Sequence, residues 1–139
     1  MPTKWFCPHP TGWVDDRVLA IAQRGMVNLF VVRTARRAIA IDAGTSAAGI
    51  AESLDAAGMD ARQVTHVFMT HCDSDHVGGL AAFPQARIFL GAGEDALLQR
   101  QRRRFLGLTY VPRLERPYAL LADGDTVAAD GVSVRALAT

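Results

Sequence analysis

Val67-Phe68-Met69-Thr70-His71-Cys72-Asp73-Ser74-Asp75-His76-Val77-Gly78-Gly79 sets the reading of the whole chain. An apolar run leads in, two histidines and two aspartates fall within six residues, and a Gly-Gly pair closes the segment. That is a strand delivering its last residues into a loop crowded with metal-binding groups. Carboxylates side by side repel one another, and a divalent cation makes such a cluster favourable. His71, Asp73 and Asp75 are spaced by two, so extended backbone puts them on one face while His76 projects another way. One short loop can then feed two neighbouring metal positions. Imidazole plus carboxylate suits a divalent first-row metal, which lowers the pKa of bound water to roughly 7. Gly78 and Gly79 allow tight turning beside the ions.

A single His or Asp here would read as a turn or cap residue, and Asp-Ser-Asp could simply cap a helix beginning at Gly79. The coincidence of four ligand-type side chains between a strand and Gly-Gly outweighs that. Cys72 alternates away from the ligand face and reads as packed. His66, mid-strand with no acidic neighbour, reads as structural, and His9, between Pro8 and Pro10, as an exposed loop residue. Asp42, at a strand end before Gly44, is either a cap or a group that orients a ligand histidine.

Upstream, Val18–Ala22, Met26–Val32 and Ala38–Ile41 read as a meander of three strands with one buried face. A helix follows, capped by Thr45 or Ser46, with Ile50 and Leu54 on one face and Gly58 as its stop. Val64–Met69 is the strand that leads to the cluster. Strand, helix, strand is a crossover unit. Downstream come a short helix at 79–83 stopped by Pro84, a strand at 86–90 and a crossover helix at 93–104. Glu94 and Asp95 favour the N-terminus of that helix and its arginines the other end. Three segments, 118–121, 126–128 and 132–137, read as a closing meander, turned at Asp123-Gly124 and Asp130-Gly131. Residues 1–13, with Pro2, Pro8 and Pro10, read as an irregular arm pinned by Trp5, Phe6 and Trp13. The expectation is one domain over residues 1–139.

Half of the 139 residues are hydrophobic and 21% are charged, so the chain is globular. A net charge of +1 gives no global reason to expect nucleic acid or an anionic membrane as partner. Acidic residues concentrate between 52 and 76. Arg100, Arg102, Arg103, Arg104, Arg113 and Arg116 concentrate between 100 and 116, where they suit a helix end or steer an anionic substrate. Two cysteines, Cys7 and Cys72, suggest no disulfide framework. No signal peptide is visible, and no apolar run approaches the roughly 20 residues of a membrane helix. A cytoplasmic location is the default expectation.

Thr70-His71-x-Asp73-x-Asp75-His76-x-Gly78-Gly79 resembles the T-H-x-H-x-D-H-x-G-G signature of the metallo-β-lactamase superfamily. The strand pair 26–32 and 39–44 and the later segment 123–134 are similar to the family as well. The resemblance implies an α/β (α+β) fold, the αββα sandwich, with a di-metal site at the sheet edges. It implies His71 and Asp73 at a first metal and Asp75 and His76 at a second, with Asp75 also catalytic, near the attacking hydroxide. Asp73 stands where the family usually has a histidine, giving an HxDxDH variant. Zinc is the first expectation, and the oxygen ligand brings iron or manganese into view. The family's later ligands follow a strand like 132–137, and no histidine follows His76. The resemblance therefore implies the N-terminal half of a two-half fold, with an open sheet edge that invites pairing into a homodimer.

The function implied is a metal-dependent hydrolase. Metal-activated hydroxide would attack an ester, thioester, lactone, amide or phosphodiester bond of a small-molecule substrate. The alternatives are a di-iron-type redox protein, suggested by Asp73, an inactive metal-binding fragment, suggested by the missing ligands, and a nuclease relative, suggested by the arginines.

Overall fold

The computed structural model describes residues 9–99 and 114–138. Its strands are β1 (Gly12–Trp13), β2 (Val18–Gln23), β3 (Val27–Arg33), β4 (Ala38–Ile41), β5 (Val64–Met69), β6 (Arg87–Gly91), β7 (Tyr118–Leu121), β8 (Thr126–Ala129) and β9 (Val132–Arg135). Its helices are α1 (Ala47–Ala56), α2 (Ser74–Val77) and α3 (Asp95–Leu98). Strands β1 to β7 form one sheet in chain order, antiparallel from β1 to β4 and parallel from β4 to β7. Strands β8 and β9 form a separate antiparallel pair.

Both faces of the central strands are covered, and their side chains alternate accordingly. Ala38, Ala40, Val67, Met69, Ile88 and Leu90 join Ile50 and Leu54 of α1 in one core. Ile39, Phe68 and Phe89 face the other way, onto Ala129, Val127, Val132 and Val134 of the β8–β9 hairpin. The described layers are thus helix, sheet and hairpin. Ser46 caps α1 by accepting from the Gly49 amide at 3.2 Å, and Gly58 takes a left-handed φ of 73° just past its end.

Four expectations need correction. Residues 12 and 13 are not irregular: they pair with Ala20 and Leu19, and the Trp13 ring carries the Arg33 guanidinium 4.1 Å above it. The segment 118–121 is not part of a meander with 126–128 and 132–137. It joins the large sheet parallel to β6, because a chain returning from a crossover reaches the same end of the sheet as its predecessor. The helical run expected over 93–104 appears as a 3-10 turn at 92–94 followed by α3. Its remainder, with Arg100, Arg102, Arg103, Arg104 and Arg113, lies outside the described residues. Arg116 does not face solvent as a steering charge. Its guanidinium donates to the carbonyls of Leu80, Phe83 and Ala86, each at 2.8 Å.

Asp130 ties the hairpin to the sheet. Its carboxylate accepts from the amides of Arg36 (2.6 Å) and Arg37 (2.9 Å) and from the Thr34 hydroxyl (2.7 Å). The Arg36 amide, the Thr34 hydroxyl, the Arg37 amide and the Arg36 charge together hold its pKa below 3.8 against a small effect of burial. A depressed carboxylate contributes stability above its unfolded pKa and loses it as pH falls through the folded value. Asp130→Asn, which keeps the left-handed turn (φ 47°), is therefore expected to speed amide exchange in β8 and β9 at neutral pH. The difference from wild type should shrink as pH falls below 3.8. A difference independent of pH would show that the charge does not hold the hairpin.

Candidate metal centre

The parallel strands all present their carboxyl ends to one edge of the sheet, where ligands of open α/β sheets gather. Strand β4 leads into Asp42, β5 into Thr70-His71, and β6 into the turn carrying Glu94. The sequence-predicted residues His71, Asp73, Asp75 and His76 all sit on the loop and short helix after β5. The backbone there is not extended throughout, as the spacing of two suggests. Asp73 is extended (ψ 156°), and Ser74–Val77 then closes one helical turn. That turn brings Asp75 and His76 back toward His71.

The two imidazoles lie against each other, 3.7 Å between ring centroids. His71, Asp75 and His76 each offer a donor atom within 4.8 Å of the others, the one such group among the described residues. His76 Nε2 is 3.6 Å from Asp75 Oδ2, and His71 Nε2 is 3.7 Å from Asp73 Oδ2. These separations exceed a hydrogen bond. They approach the roughly 3.3 Å edge of a tetrahedron built on metal–ligand bonds of about 2.0–2.1 Å. Asp73 occupies the N-cap position of α2 but makes no side-chain capping hydrogen bond there, so capping does not account for it.

Asp42 arranges the imidazoles. It is buried, 5% exposed, and holds a left-handed φ of 64° that is costly for a residue with a Cβ. Its carboxylate accepts from the Thr70 amide at 2.8 Å and the Thr70 hydroxyl at 2.7 Å. His76 Nδ1 lies 3.0 Å from Asp42 Oδ2, close in distance though off the line of an ideal hydrogen bond. The Thr70 oxygen is also 3.1 Å from His71 Nδ1. Both rings are thus held at Nδ1, directly or through Thr70, and each turns Nε2 toward the acidic side chains, which is how ligating histidines are oriented. Burial works against a charged His76. The close Asp42 carboxylate, with the charges of Asp75 and Asp73, outweighs it and raises the pKa above 6.5.

Nothing local to Gln23 marks it as part of the site. Buried at the end of β2, its Oε1 accepts from the amides of Thr45 (2.6 Å) and Ser46 (3.2 Å), while Nε2 donates to the Ser46 carbonyl at 3.0 Å. It thereby fixes the loop that follows Asp42. Gly78 and Gly79 have φ of −61° and −97°, so they do not provide the special turn expected of them. They provide room: a Cβ on Gly79 would strike the Ala43 carbonyl oxygen, and one on Gly78 would lie 2.9 Å from that of Thr45. His66 packs as expected of a structural residue, its ring stacked beside those of Phe68 and Phe89 at 6.1 and 5.5 Å in a cluster of three. Burial, with the nearby Arg87 charge, lowers its pKa. Cys72 is fully buried, as expected, and its thiol faces Glu94.

A family model described as Metallo-beta-lactamase superfamily matches residues 22–139. Among curated proteins, the chain is 35% identical over 85 residues to Metallo-beta-lactamase domain-containing protein 1 of Rattus norvegicus, covering 58% of this chain and 34% of that one. It is 43% identical over 86 residues to Competence protein ComA of Neisseria gonorrhoeae, covering 58% and 12%. Among solved structures it superimposes on BJP-1, a subclass B3 metallo-beta-lactamase of Bradyrhizobium japonicum, with a TM-score of 0.78 at 20% identity, covering 98% of this chain and 54% of that one. The chain spans about half the length of that structure and a third or less of these curated relatives.

Proposed function

The chain belongs to the metallo-beta-lactamase superfamily, and from that premise we propose that it is the metal-holding part of a metal-dependent hydrolase. The observation that carries the reading is the convergence of His71, Asp75 and His76 within 4.8 Å, with both imidazoles oriented from behind by Asp42 and Thr70. His71, Asp75 and His76 would hold a divalent ion, zinc first, and Asp73 beside His71 would extend the set toward a second. The oxygen-rich donor set also admits iron or manganese. When bound, such an ion supplies Lewis-acid polarisation and an acidified water at neutral pH.

The chain's own residues supply the rest. Asp75, whose side chain is 45% exposed, is the carboxylate placed to accept a proton from water at the open side of the cluster. Asp42, buried behind it, keeps His76 in one orientation throughout. A cavity of about 260 Å³ is lined by Thr70, the residue before His71, and by Gly91, Glu94, Leu121 and Asp123; a small substrate with an ester, thioester, amide or phosphodiester bond would enter there.

Native mass spectrometry with metal quantification tests the reading. Zinc-loaded wild type is expected to retain at least one ion per chain through buffer exchange, and Asp75→Ala to lose most of it. Failure of the wild type to hold zinc, iron or manganese would remove the proposal. Undiminished metal in Asp75→Ala would remove Asp75 from the ligand set.

A further inference from the structure

Glu94 has no evident task in the sequence beyond favouring a helix N-terminus, yet the fold aims it at the back of the metal loop. Its Oε2 accepts two hydrogen bonds from one residue, the amide of Cys72 at 3.2 Å and the thiol of Cys72 at 3.1 Å. Cys72 is wholly buried between His71 and Asp73. Its amide belongs to the peptide plane that joins it to His71. Pinning that N–H to Glu94 holds the backbone between His71 and Asp73 in place, and with it the Cα atoms from which both side chains leave the loop. The thiol contact pins the other end of the same residue, ahead of Asp73. The anchor is itself held: the adjacent Asp95 accepts the Tyr118 hydroxyl at 2.7 Å, fastening the start of α3 to β7.

We infer that Glu94 is a positioning residue for the metal centre, acting through the Cys72 backbone to aim His71 and Asp73. The inference rests on the metal-holding reading above. Thr70 steadies the His71 ring at Nδ1, and Glu94 steadies the backbone from which that ring grows.

The test compares zinc affinity, measured by competition with a chromophoric chelator, with the melting temperature of the metal-free chain. Glu94→Ala is expected to weaken zinc binding about 10–100-fold, the usual effect of removing a group that orients a ligand. The metal-free melting temperature should fall by only about 5 °C, as a buried amide without its acceptor costs, and the Cys72 amide should exchange faster. Glu94→Gln retains an acceptor oxygen without the charge and is expected to bind zinc as the wild type does. Should Glu94→Ala fail to fold, Glu94→Asp withdraws the carboxylate by one methylene and is expected to weaken binding likewise. Wild-type affinity in Glu94→Ala or Glu94→Asp would overturn the inference. So would equal losses in Glu94→Gln and Glu94→Ala, which would make the carboxylate's charge, not its hold on Cys72, the active property. A wild-type chain that binds no zinc would instead overturn the metal-holding reading itself, an outcome distinct from both.

Discussion

Asp42→Ala is expected to lower the stability of the metal-free chain by about 2–4 kcal/mol, chiefly because two donors lose a buried acceptor, each at about 1–3 kcal/mol. Three losses combine. The Thr70 amide and hydroxyl lose their acceptor, His76 Nδ1 loses the carboxylate 3.0 Å away, and alanine inherits a φ of 64°. The last effect is the smallest, since aspartate already carries a Cβ there, although its side chain tolerates the left-handed region better than a methyl does. Against a total stability of about 5–15 kcal/mol the sum is large. Zinc affinity should fall at least 10–100-fold, because both imidazoles lose the contacts that turn Nε2 outward. Asp42→Asn separates the effects: asparagine tolerates the left-handed backbone and still accepts from the Thr70 amide, but offers His76 no charge. It is expected to fold nearly as well as wild type and to bind zinc less tightly. Urea denaturation and zinc titration read the two quantities independently. Zinc bound by Asp42→Ala with wild-type affinity would show that the histidines orient themselves.

What the sequence made legible, and what it hid, divides by the range of the interactions. Ala38–Ile41 and Val64–Met69 are strands with the expected limits, because unbroken apolar runs end abruptly at Asp42-Ala43-Gly44 and Thr70-His71. Their burial on both faces follows from the same continuity. The Asp130-Gly131 turn is equally local: both residues take positive φ, 47° and 86°, as a tight hairpin requires. By contrast, Tyr118–Leu121 has strand character whichever sheet it joins, and nothing local names β6 as its partner. The identity of the acidic and imidazole groups at 71–76 was likewise plain, and their family resemblance holds. Their arrangement was not, because it is set by residues distant in sequence: Gln23 on the loop after Asp42, Asp42 behind His76, Glu94 behind Cys72. Each of these is an ordinary polar residue just past or at a strand end, and only the hairpins and crossovers that gather β2, β4 and β6 into one sheet with β5 give it a task.

Gly79→Ala is expected to cost about 3 kcal/mol, the upper end of overpacking, and to damage the metal centre as well as the fold. The added methyl would meet the Ala43 carbonyl oxygen and approach Ile50 Cδ1 to 2.5 Å. A flexible side chain could yield; a carbonyl could not do so cheaply. Ala43 is bound through its amide to the His76 carbonyl at 2.7 Å, and it follows Asp42 directly. Any retreat of Ala43 therefore drags the acid that orients His76 and the backbone of His76 itself. Gly93→Ala supplies the contrast, since a Cβ there meets nothing within 4 Å and the backbone is not left-handed. It should stay within about 0.5 kcal/mol of wild type, as surface substitutions usually do. Measured by urea midpoint and zinc titration, Gly79→Ala should lose on both axes and Gly93→Ala on neither. A Gly79→Ala chain with intact stability would mean that the 42–45 loop can shift without cost. The glycine after the metal loop would then not be selected for close approach. If both losses appear together, the Gly-Gly pair is what lets the loop bearing the ligands pack directly on the loop bearing their orienting acid.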